Sequence, residues 1–306
     1  MTGIMTRPLR LGTRGSALAM AQSGLVADAL RARLERPVEL VEIVTKGDKS
    51  SAPVPQLGVG VWVSALRDSL QAGEIDVAVH SYKDLPTDMP ADLTIAAVPP
   101  RADARDVLIS RTGATLADLP AGSRIGTGAL RRVAQLSALG RGLVCVPMRG
   151  NVDTRLRKLA SGDLDAVVLA AAGLARLGRI DEVTEFLDTD VMLPAPAQGA
   201  LAVECRADDP LRELLAALDD PATRAAVVAE RALLATAEAG CHAPIGAYAI
   251  VAADSLVLRG VVAAIDGSVS IRRSGTGTPA DAESVGRRLA AELLDAGADS
   301  LLESAR

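Results

Sequence analysis

Cys241, the pair Lys83 and Asp84, and a group of arginines in glycine-rich turns are the residues of this chain best suited to chemistry. Cys241 lies in Ala239-Gly240-Cys241-His242-Ala243-Pro244-Ile245-Gly246, where glycine and proline sustain neither a helix nor a central strand. A thiol held in such a loop reads as one placed to react. The other two cysteines differ. Cys145 sits in Leu143-Val144-Cys145-Val146-Pro147 and Cys205 closes Leu201-Ala202-Val203-Glu204, short runs that read as buried strands with core thiols. Three cysteines at irregular spacing argue against a disulfide framework and for a reducing compartment.

Lys83 and Asp84 belong to His80-Ser81-Tyr82-Lys83-Asp84-Leu85-Pro86, directly after the strand-like run Val77-Ala78-Val79. An exposed Lys-Asp pair is worth only about 0 to 1 kcal/mol, so the pair gains meaning from its place at a strand's carboxyl end. His80 reads as a packed histidine rather than a base or ligand. With His80 and His242 as the sole histidines and no carboxylates at ligand spacing, no metal site is expected. Arg14, Arg131, Arg132, Arg149 and Arg155 lie in or just after turns that open helices, where free backbone N–H groups favour anions. A guanidinium fork matches a carboxylate, and a unit charge pair at about 4 Å is worth on the order of 4 kcal/mol at an effective dielectric near 20. Together they read as a cradle for a polyanion. The turns suit phosphate as well as carboxylate, although neither a Gly-x-x-x-x-Gly-Lys-Ser/Thr loop nor a Gly-x-Gly-x-x-Gly fingerprint is present.

The arginines stand in an acidic chain of 306 residues with net charge -5, one Trp, one Phe and two Tyr, which disfavours a nucleic-acid partner. Residues 1–8 lack the apolar core of a signal peptide and no apolar run reaches roughly 18 residues, so a cytoplasmic protein without a membrane partner is expected. The elements that must position the arginines repeat. Leu9-Arg10-Leu11-Gly12-Thr13 matches Ser123-Arg124-Ile125-Gly126-Thr127, each a strand before a Gly-Thr turn. Val41 to Thr45 before Lys46-Gly47-Asp48 matches Leu143 to Met148 before Arg149-Gly150-Asn151. Gly73-Glu74-Ile75-Asp76-Val77-Ala78-Val79 matches Gly162-Asp163-Leu164-Asp165-Ala166-Val167-Val168. Three matches in one order imply two α/β lobes with mainly parallel sheets around a cleft, with ligands outside the strands' carboxyl ends. The expected division is 1–100 with 199–220 as lobe one, 101–194 as lobe two, and 221–306 as a small α+β domain. Pro194, Pro196 and Gly199 mark the place where the chain crosses back to lobe one.

The runs Thr13-Arg14-Gly15-Ser16, His80 to Pro86, Gly126-Thr127 with Leu130-Arg131-Arg132, Arg149-Gly150-Asn151-Val152 with Thr154-Arg155-Leu156, Gln198-Gly199-Ala200, and Gly240-Cys241 with Pro244-Ile245-Gly246 resemble the porphobilinogen deaminase family. The resemblance implies two periplasmic-binding-protein-like lobes and a transferase of haem biosynthesis. It also implies head-to-tail joining of four porphobilinogen molecules into 1-hydroxymethylbilane, with loss of ammonia at each addition. The growing chain would start on a dipyrromethane primer held by Cys241 as a thioether. By the same resemblance Asp84 is the catalytic carboxylate, stabilising the cationic azafulvene left when ammonia departs. Ser81, Lys83, Asp84, Thr127, Arg131, Arg132 and Arg155 would hold the primer. Arg14, Ser16, Arg149, Arg155, Arg176 and Gln198 would bind substrate, and a monomer without a metal is expected.

The chain departs from the family pattern in three places. Val59 and Trp62 stand in Gly58-Val59-Gly60-Val61-Trp62 where a lysine and a phenylalanine are usual, Ala129 replaces a serine, and Tyr82 a methionine. The Ser-, Pro- and Gly-rich segment 47–60 reads as a mobile loop. Two rival readings are weaker. A non-catalytic anion-binding protein gives no reason for Lys83-Asp84 or for the cysteine loop, and a thiol hydrolase using Cys241 with His242 lacks a third orienting group.

Overall fold

The computed structural model describes residues 7–34, 36–44, 63–240 and 243–305. Contacts divide the chain into two units, Met1–Arg101 with Ala200–Arg224, and Ala102–Gly199 with Ala225–Arg306.

The first unit begins with β1 (Leu9–Thr13), α1 (Ala17–Arg31), β2 (Val38–Glu42), α2 (Ser64–Gln71), β3 (Val77–Ser81) and β4 (Leu93–Ala97). In α1, Val26, Ala27 and Leu30 recur at helical spacing and pack on the apolar residues Leu9, Leu11, Val77 and Val79 of the strands. Strand β1 lies between β2 and β3 and is parallel to both. The second unit opens with β5 (Asp106–Ser110), β6 (Arg124–Thr127), α3 (Leu130–Ala138), β7 (Val144–Pro147), α4 (Val152–Ala160), β8 (Ala166–Ala170), α5 (Ala171–Arg176) and β9 (Glu185–Phe186). Its β6 lies between β7 and β8, again parallel to both. The repeated segments of the sequence therefore occupy the same sheet positions.

The chain then returns to the first unit as β10 (Leu201–Arg206) and α6 (Leu211–Leu215). The first sheet has the order β2-β1-β3-β10-β4, and the second β7-β6-β8-β5-β9. In each, the fourth strand runs antiparallel to both neighbours. The sheets are thus mainly parallel, as the repeats imply, with one reversed strand that follows the connecting segment from the other half of the chain.

The C-terminal part contains α7 (Pro221–Thr236), β11 (Ile245–Ala252), β12 (Ser255–Ala263), β13 (Ser270–Gly277), α8 (Ala282–Leu293) and α9 (Asp299–Glu303). The Asp220 side chain accepts from Thr223 N at 2.7 Å, so Asp220 and Pro221 start α7 in the expected way. The antiparallel sheet β11-β12-β13 carries Leu256, Leu258 and Val262 against Leu233, Val285, Leu289 and Leu293 of the helices. Within this unit the buried carboxylate of Glu230 on α7 accepts from Ala197 N at 2.6 Å and Ala249 N at 2.8 Å. It thereby ties the connecting segment 194–199 to β11.

Candidate active site

In the first unit, the residues expected to do chemistry gather at the carboxyl ends of β1 and β3. Ser16 is the N-cap of α1, and its Oγ accepts from Ala19 N at 3.3 Å. Arg14 lies in the turn just before it, half-buried. At the end of β3, Ser81 exchanges hydrogen bonds with the buried amide of Gln22, which donates to Ser81 Oγ at 2.9 Å and accepts from it at 3.1 Å. Residues Tyr82–Asp84 then form one 3-10 turn, closed by Leu85 N to Tyr82 O at 3.2 Å. The turn leaves the Asp84 carboxylate exposed and Lys83 half-buried.

Behind that turn lies a buried charged group. Glu204 of β10 is wholly buried and accepts from Arg67 Nε at 3.0 Å, while its other oxygen lies 3.0 Å from His80 Nε2. An ionised carboxylate only accepts, so His80 Nε2 carries the proton of this bond. Burial alone would raise the Glu204 carboxyl, but His80 and then Arg67 outweigh it and hold the group below the usual carboxylate range. His80 is therefore the packed histidine expected, with a carboxylate as its partner.

In the second unit, the carboxyl ends of β6, β7 and β8 carry the arginine turns. Thr127, almost wholly buried, ends β6, and its Oγ1 accepts from Ala129 N at 3.3 Å. Ala129 is the N-cap of α3 and brings no side-chain acceptor to the helix's first turn. Asn151 caps α4, accepting from Thr154 N at 2.9 Å. Arg155 Nε reaches back to Gly150 O at 2.9 Å, joining it to the turn that holds Arg149. Arg176 Nη2 donates to Gly199 O at 2.6 Å. That carbonyl is fixed because Gly199 has φ +90°, and a Cβ there would lie 2.5 Å from Ala102 O, so only glycine fits. Burial, and then the charge of Arg132, push the Arg155 guanidinium down to about 10. Burial alone brings Arg176 to about 10. Among the described residues neither meets a carboxylate.

The structure departs most from the sequence expectation at Arg131, Arg132 and Gln198. All three are buried, and they converge on Asp106 at the start of β5. Arg131 Nη1 donates to Asp106 Oδ2 at 2.7 Å and Arg132 Nη2 to Oδ1 at 2.8 Å. Gln198 Nε2 donates to Asp106 Oδ1 and to Ala104 O, each at 2.8 Å. Arg131 also reaches Leu193 O at 2.7 Å, and Arg132 reaches Val168 O at 2.9 Å. Burial opposes the charge on Asp106, yet the two arginines hold its carboxyl far below the ordinary range.

Sequence reasoning missed Asp106, Gln22 and Glu204. Asp106 follows the charged stretch Arg101-Ala102-Asp103-Ala104-Arg105, while Gln22 and Glu204 each sit in an apolar run. A lone polar residue inside an apolar run was the available signal. Cys241, Val59, Trp62 and the whole 47–60 segment lie outside the described residues. Cys145 is half-buried and Cys205 buried, and burial raises both thiols, Cys205 to about 11. Among the described residues no group of three or more His, Cys, Asp and Glu is arranged to hold a metal, and no helix is long and apolar enough to cross a membrane.

Fold and site together define a duplicated α/β protein that presents the exposed Asp84 carboxylate after β3 in the first unit and, in the second, guanidiniums that meet no carboxylate among the described residues. Residues 9–213 match the family model of the porphobilinogen deaminase dipyromethane cofactor binding domain, and residues 224–295 match that of the porphobilinogen deaminase C-terminal domain. The porphobilinogen deaminase of Nocardia farcinica is 59% identical over 305 residues, covering 96% of this chain and 88% of its own. That of Mycolicibacterium paratuberculosis is 56% identical over 308 residues, covering 97% and 98%. Among solved structures, the methionine binding protein MetQ overlays with a TM-score of 0.44 at 12% identity, covering 69% of this chain and 89% of that one. The chain belongs to the porphobilinogen deaminase family.

Proposed function

We infer that this chain is a transferase that joins four porphobilinogen molecules head to tail into 1-hydroxymethylbilane, releasing ammonia at each step, in tetrapyrrole biosynthesis. Beyond family membership, the observation that carries the reading is the pair Arg155 and Arg176, half-buried cations on the helices that follow β7 and β8, which meet no carboxylate among the described residues. A protein keeps such charges desolvated when a ligand supplies the counter-charge. A dipyrromethane bearing carboxylate side chains fits them.

When bound, the dipyrromethane supplies the pyrrole carbon to which the first substrate is joined, and Cys241 is the residue that would hold it as a thioether. Ser81, Lys83, Thr127, Arg131, Arg132 and Arg155 would hold its polar groups. Arg14, Ser16, Arg149, Arg155 and Arg176 would orient substrate carboxylates, with Gln198 acting from behind through Asp106. The Asp84 carboxylate has the placement needed to stabilise positive charge that develops on a pyrrole as ammonia leaves, and to pass protons. Its exposure at the end of β3 leaves it open to substrate, while Gln22 and Glu204 fix the strand beneath it. The cysteine composition supports a cytoplasmic enzyme in a reducing compartment, and a monomer is the simplest assembly for one chain that carries both arginine-rich turns and carboxylate.

Intact mass of the purified chain beside Cys241→Ala tests the reading. An excess of two linked pyrrole units, absent from the variant, is expected. A mass that stays unmodified after incubation with porphobilinogen sinks the reading.

A further inference from the structure

We propose that Asp106 is a built-in counter-ion of the primer site, a positioning residue that aligns Arg131 and Arg132 and carries their charge whenever no ligand carboxylate does. The inference rests on the function read above, and it concerns a residue that touches no reacting atom. Three observations carry it.

First, the carboxylate is divided between the two arginines. Oδ2 takes Arg131 at 2.7 Å and Oδ1 takes Arg132 at 2.8 Å, with both guanidiniums and the carboxylate almost wholly buried. Two buried cations on successive residues of one helix turn repel each other, and one anion holds both in place. Second, the balance is incomplete. One carboxylate faces two guanidiniums, so the cluster keeps a net positive charge, and the charge of Arg132 adds to the burial that lowers Arg155 nearby. Arg132 Nε is also buried without a partner. A cluster built only for stability would close its hydrogen bonds and its charge; this one leaves a donor and a charge for an incoming anion. Third, Asp106 is itself held. Gln198 Nε2 donates to the same Oδ1, and Gln198 stands in the segment 194–199, where Ala197 has a positive φ of 62° and Glu230 grips its N–H. The anion is thus set by the connecting segments and not by the arginine turns.

If Asp106 stands in for ligand carboxylates, its removal harms the primer-free protein more than the loaded one, because bound carboxylates then share the load. A purely structural aspartate would harm both alike. The experiment compares thermal midpoints of four full-length proteins: the natural chain, Cys241→Ala, Asp106→Asn and the double variant, with intact mass showing which carry primer. Asp106→Asn is expected to lower the midpoint by on the order of 10 °C in the Cys241→Ala background and by less than half of that in the loaded chain. Equal lowering in both backgrounds overturns the proposal. Should the double variant fail to fold, Asp106→Glu, which keeps the charge and alters its reach, takes its place in the same comparison with the same criterion. A natural chain that stays without primer even after incubation with porphobilinogen overturns the functional reading instead, and the counter-ion role with it.

Discussion

Replacing Glu204 by Gln isolates the buried charge beneath the Asp84 turn. Glu204 is wholly buried and its side chain meets Arg67 Nη2 at 2.9 Å and His80 Nε2 at 3.0 Å. Glutamine keeps the shape but loses the charge, and its amide nitrogen turns a donor toward one of two groups that already donate. His80 can answer by moving its proton to the other ring nitrogen, whereas Arg67 cannot lose its proton. The uncompensated Arg67 sets the magnitude. Breaking a buried pair typically costs about 3–5 kcal/mol, and we expect the lower end, about 3 kcal/mol, since Arg67 also reaches Met89 Sδ and is slightly exposed. With urea m-values of about 1–3 kcal/mol/M, the first unit's transition should move down by about 1–3 M. The sign with pH follows from the lowered carboxyl. Glu204 is held below its ordinary value of 4.5, so its contribution is complete above that pH and is lost as the pH falls through the folded value. The difference between natural chain and variant should stay constant at neutral pH and close on acidification below about 4.5. A shift under about 0.3 M at pH 7, or a difference that widens in acid, would refute the reasoning.

Two further outcomes are expected. Asp84→Ala should cut kcat by at least about 10²–10³-fold while porphobilinogen still binds, and a variant that turns over at the natural rate removes Asp84 from the chemistry. Cys205, with its thiol raised to about 11 by burial and then by Asp209, should resist iodoacetamide in the folded protein at pH 7 and react only in urea; ready labelling of the folded chain would show that β10 opens.

What the sequence disclosed was what is local. The Gly-Thr turns, the basic-Gly-Asn turn and the three matched strands are each specified by neighbours within a few residues, and they mark the arginine turns and the position of Asp84. The helix signal at Asp220-Pro221 and the strand run to Cys205 were equally plain. The burial of Arg131 and Arg132 was not, because it depends on Asp106, separated from them by 25 and 26 positions. A strand-opening Asp after a stretch with three charged residues carries no mark of its partners. The same holds for Glu204, 137 positions from Arg67, and for Gln22, 59 from Ser81. Pattern reading locates cations and carboxylates; it does not tell which of them neutralise one another.

The two halves also differ in how their sheets are completed. In the second unit, strands β5 to β9 all lie within residues 106–186, so that sheet closes on one continuous stretch. In the first, β10 at 201–206 lies between β3 and β4, and β4 has no other partner in the sheet. Until the chain returns, β3 is an open edge and Arg67 and His80 lack their carboxylate. Closing so long a loop costs little more than closing a medium one, since each doubling adds only about 0.6 kcal/mol, but the pairing has to wait for the later residues to be made. The strand neighbour of the turn that presents Asp84, and the charge beneath it, both come from a segment more than a hundred residues further on. The arginine turns, by contrast, are set by strands close in sequence, and their counter-ion Asp106 precedes them. That asymmetry matches the division of roles: binding cations rest on a locally completed sheet, and the carboxylate assigned to the chemistry rests on one completed by a returning strand.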